Sequence, residues 1–388
     1  MKKTLRSLIM LALFAGLGSS VRAQLSGPAA AVSAPGSSAP GSSAPGSAAA
    51  PAQNLVIFLM DGYRWQELYR GADSALAFNN KYNRTDSAWT MKKYWGPDVA
   101  TRRKLLMPFV WETIAANGQL YGDRDLGSLV NVRNKFQFSY PGRSEAFCGY
   151  YDPAVNSNEY PDNPNTNVLE FIDKQPGFHG KVVTFSSWDA DARIFNRKRN
   201  GMLVNIYGED ITGKLTPLEK EANILQHMLP DIFGGGERLD AGTYALAKAY
   251  MLANHPRVLY IDLGDPDDFA HAGEYGDYLD AAHDADAMFR DIWNILEQDD
   301  FYKGKTTMLI FPDHGRGEGA QWTDHGEEVG PSGQTYFMAM GAGVPSVGEV
   351  HGGVHLYQEQ YAQTIAKLLG LNFMAEHPVA EGIQLGVR

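Results

Sequence analysis

The chain is 388 residues long, 44% of them hydrophobic and 20% charged, which supplies a sizeable core and excludes a chain held open by its own charge. It carries 34 Lys and Arg against 45 Asp and Glu, a formal net charge of −11, so binding to a nucleic acid duplex, which depends on basic side chains at phosphates, is disfavoured. The one cysteine, Cys148, rules out an intramolecular disulfide, and stability must come from packing.

The chain opens Met1-Lys2-Lys3, passes through an apolar stretch at 8–17 and reaches Val21-Arg22-Ala23, the charged, apolar and small-residue order of a secretory signal at 1–23. That stretch is shorter than the roughly 20 residues that span a bilayer, and no later segment comes closer, so no transmembrane helix is expected after signal removal. The expected location is the bacterial periplasm or the medium. Cleavage would take Lys2, Lys3, Arg6 and Arg22 with it and leave the rest more acidic. Residues 24–52 repeat Ser-Ala-Pro-Gly-Ser and read as a linker with nothing to pack. Residues 53–388 read as one catalytic domain.

Apolar, β-branched runs at 54–60, 181–186, 257–263, 306–311 and 335–340 predict strands. Helix-period segments at 105–117, 168–174, 241–254, 278–298 and 358–369 alternate with them, which predicts an α/β fold with a doubly wound, largely parallel central sheet and helices on both faces. The polar stretches 72–102, 152–167 and 196–217 read as loops or small excursions. Gly234-Gly235-Gly236 follows no strand and precedes no Lys-Ser or Lys-Thr, so it reads as a loop and not a phosphate cradle.

Three distant segments carry the candidate chemistry: Asp267-Asp268-Phe269-Ala270-His271, Asp313-His314-Gly315 and His325-Gly326. They follow predicted strands, where open α/β sheets place their ligands. Imidazole and carboxylate together suit zinc, and two zinc ions about 3.5–4 Å apart can stabilise the attacking and leaving oxygens of a phosphoryl displacement. Asp61, at the tip of the first strand, is a further candidate ligand, with Gly62 letting the backbone turn away; it reads equally as a cap for a helix at 63–69. Asp267 and His271, four apart, share one face of a helical turn, with Asp265 and Asp268 as rivals. His351 and His355 compete with His325, and His283 reads as structural. Tyr63, Trp65, Tyr140 and Trp188 read as core or as pocket lining.

The segment Phe138-Ser139-Tyr140-Pro141-Gly142-Arg143-Ser144-Glu145-Ala146-Phe147-Cys148-Gly149 resembles the nucleophile region of the alkaline phosphatase superfamily. There a Ser or Thr opens a helix and a glycine follows ten positions later, as Gly149 follows Ser139. Ser139-Tyr140-Pro141-Gly142 is similar to the Thr-Phe-Pro-Asn of the type I phosphodiesterase and nucleotide pyrophosphatase branch, and the resemblance runs from Asn54 through Gly370. It implies two Zn2+ per chain, with Asp61, Ser139, Asp313 and His314 around one and Asp267, His271 and His325 around the other. It also implies a phosphoseryl intermediate and a small-molecule phosphoester substrate, monoester or diester. Zinc lowers the pKa of a serine hydroxyl, and the opening of a helix adds N–H groups facing an anion. Ser139 is preferred to Ser144 because Pro141 marks the first turn and places Ser139 at its mouth. Arg143 reads either as a catalytic group on a nonbridging oxygen or as a solvated surface residue.

Three other readings remain. Ser139, Pro141 and Arg143 also fit the Ser/Cys-x-Pro-x-Arg pattern of sulfatases, whose first residue becomes formylglycine; against this, His271, His314 and His325 suit zinc better than the oxygen-liganded calcium of those enzymes. A phosphoglycerate mutase-like enzyme shares the metal set but acts on cytosolic substrates. A noncatalytic surface binding protein would keep the fold alone.

Overall fold

Asn54–Met60 (β1) is buried along its whole length, and its alternating side chains feed two cores. Val56, Phe58 and Met60 pack on one side with Leu246, Leu279 and Phe289, while Leu55, Ile57 and Leu59 pack on the other with Phe147, Leu169 and Ile365. A strand covered on both faces needs no polar alternation, which is why it reads as one apolar run. Helices Asp240–Asn254 and Tyr275–Gln298 cover the first face; Ser139–Cys148, Val168–Asp173 and Tyr361–Leu368 cover the second.

This arrangement comes from a computed structural model that describes residues 51–83 and 87–386. The expected signal at 1–23, and all but the last two residues of the expected linker, lie outside the described residues. Ala48–Arg388 makes one compact unit. Among the described residues no helix is long and apolar enough to cross a membrane.

The remaining strands in chain order are β2 (Gly118–Tyr121), β3 (Ser128–Asn131), β4 (Val182–Ser186), β5 (Leu203–Asn205), β6 (Val258–Leu263), β7 (Thr306–Phe311), β8 (Gln334–Thr335), β9 (Phe337–Gly341), β10 (Gly348–Glu349) and β11 (Val354–Tyr357). Eight form one sheet in the order β10-β2-β9-β7-β1-β6-β4-β5, and β11-β3-β8 form a second. In the large sheet only β9 runs against its neighbours, so the expected α/β fold with a largely parallel, doubly covered sheet holds. The register aligns Leu59 with Phe311 and Asp262, and Asp262 with Ser186. The C-terminal ends of β7, β1, β6 and β4 therefore open on one edge.

Several local expectations are corrected. The run 335–340 is not one strand: β8 belongs to the small sheet and β9 to the large one, and its unbroken apolar composition hides the change of sheet. The expected helix at 105–117 is broken, with Val99–Leu106 ending before Pro108 and a π-turn at Val110–Ile114 following it, as a proline without an N–H requires. The stretch 72–102 holds the helices Ser74–Ala77 and Ser87–Tyr94, and 196–217 holds Arg197–Asn200 and β5. Pro217–Met228 is a helix that periodicity missed, although Thr216 and Glu219 form a capping box around Pro217, a signal readable in the sequence.

Candidate metal centre and cleft

Asp61 leaves the tip of β1 and the chain turns at Gly62, with φ at +56°. A Cβ at Gly62 would lie 2.2 Å from Asp267 Oδ1, so the missing side chain is what lets the ends of β1 and β6 close on each other. Asp61 is not a helix cap: the helix is Trp65–Arg70, its N-cap is Arg64, and no side chain caps it. Gly62→Ala adds a strained left-handed residue, at about 1 kcal/mol or more, and pushes Asp267 away. The expected result is a lower thermal midpoint, read by thermal unfolding; an unchanged midpoint would overturn the packing argument.

The Ser139–Cys148 helix begins at Ser139 and packs on the turn after β7 through Gly142, where a Cβ would lie 2.4 Å from Asp313 O. Gln358 bridges the two, donating from Nε2 to Gly142 O at 2.7 Å and Asp313 O at 2.9 Å. These contacts fix Ser139 beside His314. Around His314 Nε2 stand Asp61 Oδ1 at 3.2 Å, Ser139 Oγ at 3.3 Å, Asp313 Oδ1 at 3.7 Å and Asp267 Oδ1 at 3.9 Å. His314 Nδ1 donates to Gly315 O at 2.9 Å, which turns Nε2 toward the oxygens. Asp61 Oδ1 is buried without a hydrogen bond of acceptable geometry, His314 Nε2 being its near neighbour. Burial opposes the His314 charge, but the Asp313 and Asp61 carboxylates override it and raise the imidazolium to about 9. The place calls for positive charge.

A second group adjoins it. His271 Nε2 lies 3.0 Å from Asp267 Oδ2 and 3.0 Å from His325 Nε2, and His325 Nε2 lies 3.7 Å from Asp267 Oδ1. Burial, with the neighbouring His314 charge, holds His325 down at about 3. Its Nδ1 lies 3.3 Å from Gln137 O, so the neutral ring keeps its proton there and offers an Nε2 lone pair. Arg316 is a neighbour that sequence reading passed over: it pairs with Asp267, and its Nη2 lies 3.2 Å from His271 Nδ1. As a donor it makes His271 Nδ1 an acceptor, so the His271 ring carries its proton on Nε2 in this arrangement. Ligation through that nitrogen requires the guanidinium to give way. The sets Asp61-Asp313-His314 and Asp267-His314-His325 each bring ligand atoms within 4.8 Å of one another, and nitrogen with carboxylate oxygen suits zinc.

Arg143 is not a surface residue. Its side chain is fully buried, with Nη2 2.9 Å from both Asp61 Oδ2 and Asp262 Oδ1, Nη1 on Asp313 Oδ2 and Nε 3.6 Å from Asp191 Oδ1. Ser144 is buried and accepts from Asn163 Nδ2 at 2.9 Å, outside the cleft. The expectation that first-turn amides face an anion narrows as well. Tyr140 N donates to Asn158 Oδ1, Pro141 has no N–H, and Gly142 N donates to Phe138 O.

The cleft encloses about 170 Å³ and is lined by Asp61, Ser139, Asp267, His271 and His325, with a wall of Asn158, Trp188, Glu237, Gly264 and Asp268. Asn158 and Glu237 come from stretches without periodicity and gave no sequence signal. Of the ligand rivals, Asp265 accepts from Asp240 N. Asp268 sits against Glu237, and burial together with that neighbour pushes its carboxyl up to about 11. His355 is on β11, where it bonds Asn131 Nδ2 at 3.0 Å, and His351 is exposed; neither lines the cleft. His283 bonds Leu106 O at 2.8 Å. Tyr63, Trp65 and Tyr140 are core, and Trp188 reaches the cleft.

No family model matches the chain, and no curated protein matches it in sequence. Solved structures do share its fold. The alkaline phosphatase PafA superposes with a TM-score of 0.57 at 11% identity, over 87% of this chain and 99% of that one. The lipoteichoic acid synthase LtaP from Listeria monocytogenes gives 0.52 at 12% identity, over 82% and 72%. BT1596, a 2-O GAG sulfatase, gives 0.51 at 14% identity, over 85% and 73%. The chain thus has the alkaline phosphatase-like fold that the Ser139–Gly149 resemblance implied.

Proposed function

We propose that the chain is a metal-dependent hydrolase of phosphoric esters that works through a phosphoserine at Ser139. The observation that carries this is the convergence of Asp61, Ser139, Asp313 and Asp267 oxygens on His314 Nε2, all within 3.9 Å, at the floor of a cleft and the carboxyl edge of the sheet. In this reading Asp61, Ser139, Asp313 and His314 hold one zinc and Asp267, His271 and His325 the other. Zinc would supply the positive charge that polarises phosphoryl oxygens and lowers the pKa of a hydroxyl.

Ser139 Oγ, at the mouth of its helix, forms the bond to phosphorus as the bond from phosphorus to the ester oxygen breaks, and the serine proton leaves with that oxygen as the alcohol. Water then cleaves the serine–phosphorus bond, its oxygen going to phosphate and a proton restoring the hydroxyl. Asn158 has its Oδ1 committed to Tyr140 N, so its Nδ2 is the group it can offer a nonbridging oxygen. Arg143 acts from behind, fully buried and holding Asp61 and Asp313 in place. The signal-like order of residues 1–23 supports work outside the cytoplasm.

A sulfatase is the second reading, favoured by Ser139, Pro141 and Arg143 in the Ser-x-Pro-x-Arg spacing, with the arginine buried against Asp61 and Asp313. Metal analysis with a panel of p-nitrophenyl esters separates the two. About two zinc ions per chain are expected, with turnover of the monophosphate, bis-phosphate or phosphonate that is lost on chelation and restored by zinc. Activity with calcium alone, or turnover confined to the sulfate, would overturn the proposal.

A further inference from the structure

The Asp265–His271 helix, which carries Asp267 and His271, has no cap of its own: its N-cap is Gly264, and no side chain of the segment closes it. The cap comes from 25 residues away. Asp240, first residue of the Asp240–Asn254 helix and 3% exposed, accepts from Gly264 N at 2.7 Å through Oδ1 and from Asp265 N at 3.1 Å through Oδ2. In return Asp240 N donates to Asp265 Oδ1 at 3.0 Å. Buried Ser187, just past β4, donates to Asp240 Oδ1 at 2.7 Å and lies 2.8 Å from Thr243 Oγ1, which anchors the carboxylate. A carboxylate that satisfies the open N–H groups of a helix holds its first turn in place. Here that turn contains Asp267.

We propose that Asp240 is a positioning residue for the second metal group: capping the helix from outside, it sets where Asp267 and His271 stand relative to His325. The assignment rests on the two-zinc reading above. It is specific, because the same chain contains a matched cap elsewhere. Asp286, also buried, accepts from Phe109 N at 2.8 Å and Val110 N at 2.9 Å, closing a segment that carries no candidate ligand.

The test is a zinc titration of full-length, metal-stripped protein against a chromogenic chelator, with thermal unfolding alongside. Wild type is expected to take up two equivalents. In Asp240→Ala one equivalent should weaken by about tenfold or more, the scale on which outer partners of metal ligands act, while the other stays. Asp286→Ala should lower the thermal midpoint and leave both equivalents unchanged. Asp240→Asn and Ser187→Ala should weaken the same equivalent to a smaller extent, and they carry the test if Asp240→Ala does not fold. Two unaltered equivalents in the folded Asp240 variants, or equal weakening in Asp240→Ala and Asp286→Ala, overturn the assignment alone. A wild type that takes up no zinc overturns the reading of the centre, and this assignment with it.

Discussion

Ser139→Ala is expected to abolish phosphoester hydrolysis, by about 10³-fold or more, while the protein folds and unfolds as before. Loss of a covalent nucleophile acts on that scale. The side chain removed is small, and the packing of its helix rests on Gly142 against Asp313 and on the Gln358 bridge, not on the Ser139 hydroxyl. Ser144→Ala should keep substantial turnover, since Ser144 Oγ engages Asn163 and Cys148 behind the helix. Mass spectrometry of acid-quenched enzyme should find the phosphoryl group on Ser139. Phosphate on Ser144 would overturn the nucleophile, and a formylglycine mass at position 139 would overturn the phosphoesterase in favour of the sulfatase.

The largest effect on stability is expected from Arg143→Met. One buried guanidinium faces Asp61, Asp262, Asp313 and Asp191. Burial works against its charge, yet those carboxylates hold its pKa well above the ordinary value. Removing one partner of a buried ionic cluster costs about 3–5 kcal/mol, because the charges left behind are uncompensated. The deficit should depend on pH. Burial already raises the carboxyls of Asp262 and Asp191 above their ordinary range, and loss of Arg143 raises them further, so the native state binds more protons than the unfolded one. Stability then falls as pH rises, and the gap from wild type should widen from acid toward neutral. Urea unfolding of metal-free protein at several pH values measures this; a deficit under about 1 kcal/mol, or one that shrinks as pH rises, would refute the carboxylate-cage account.

The central strands were legible because burial on both faces leaves β1, β6 and β7 as continuous apolar runs, and because long helices such as Tyr275–Gln298 keep a 3.6-residue period. The short strands β2, β5 and β10 were not, since two to four residues carry no measurable period. The candidate ligands were legible as residue types at strand ends: Asp61 after β1, Asp313-His314 after β7, and Asp267 and His271 one turn of helix apart. Arg143 was left open between a group on the substrate and a solvated surface residue, because a lone arginine near a glycine and a serine carries no mark of burial.

By itself, then, the sequence determined the strand core, the acidic balance, the acidic and histidine residues at the strand ends and the serine at the mouth of a helix, all written in local composition and spacing. Tertiary structure alone decided that Arg143 lies inside four carboxylates, that Asn158 and Glu237 wall the cleft, that Arg316 meets His271, and that Asp240 caps the helix bearing Asp267. The carboxylates around Arg143 and the Arg316–His271 contact join segments set side by side by the register of β7, β1, β6 and β4. Such pairing depends on how whole strands align and not on any period within one of them.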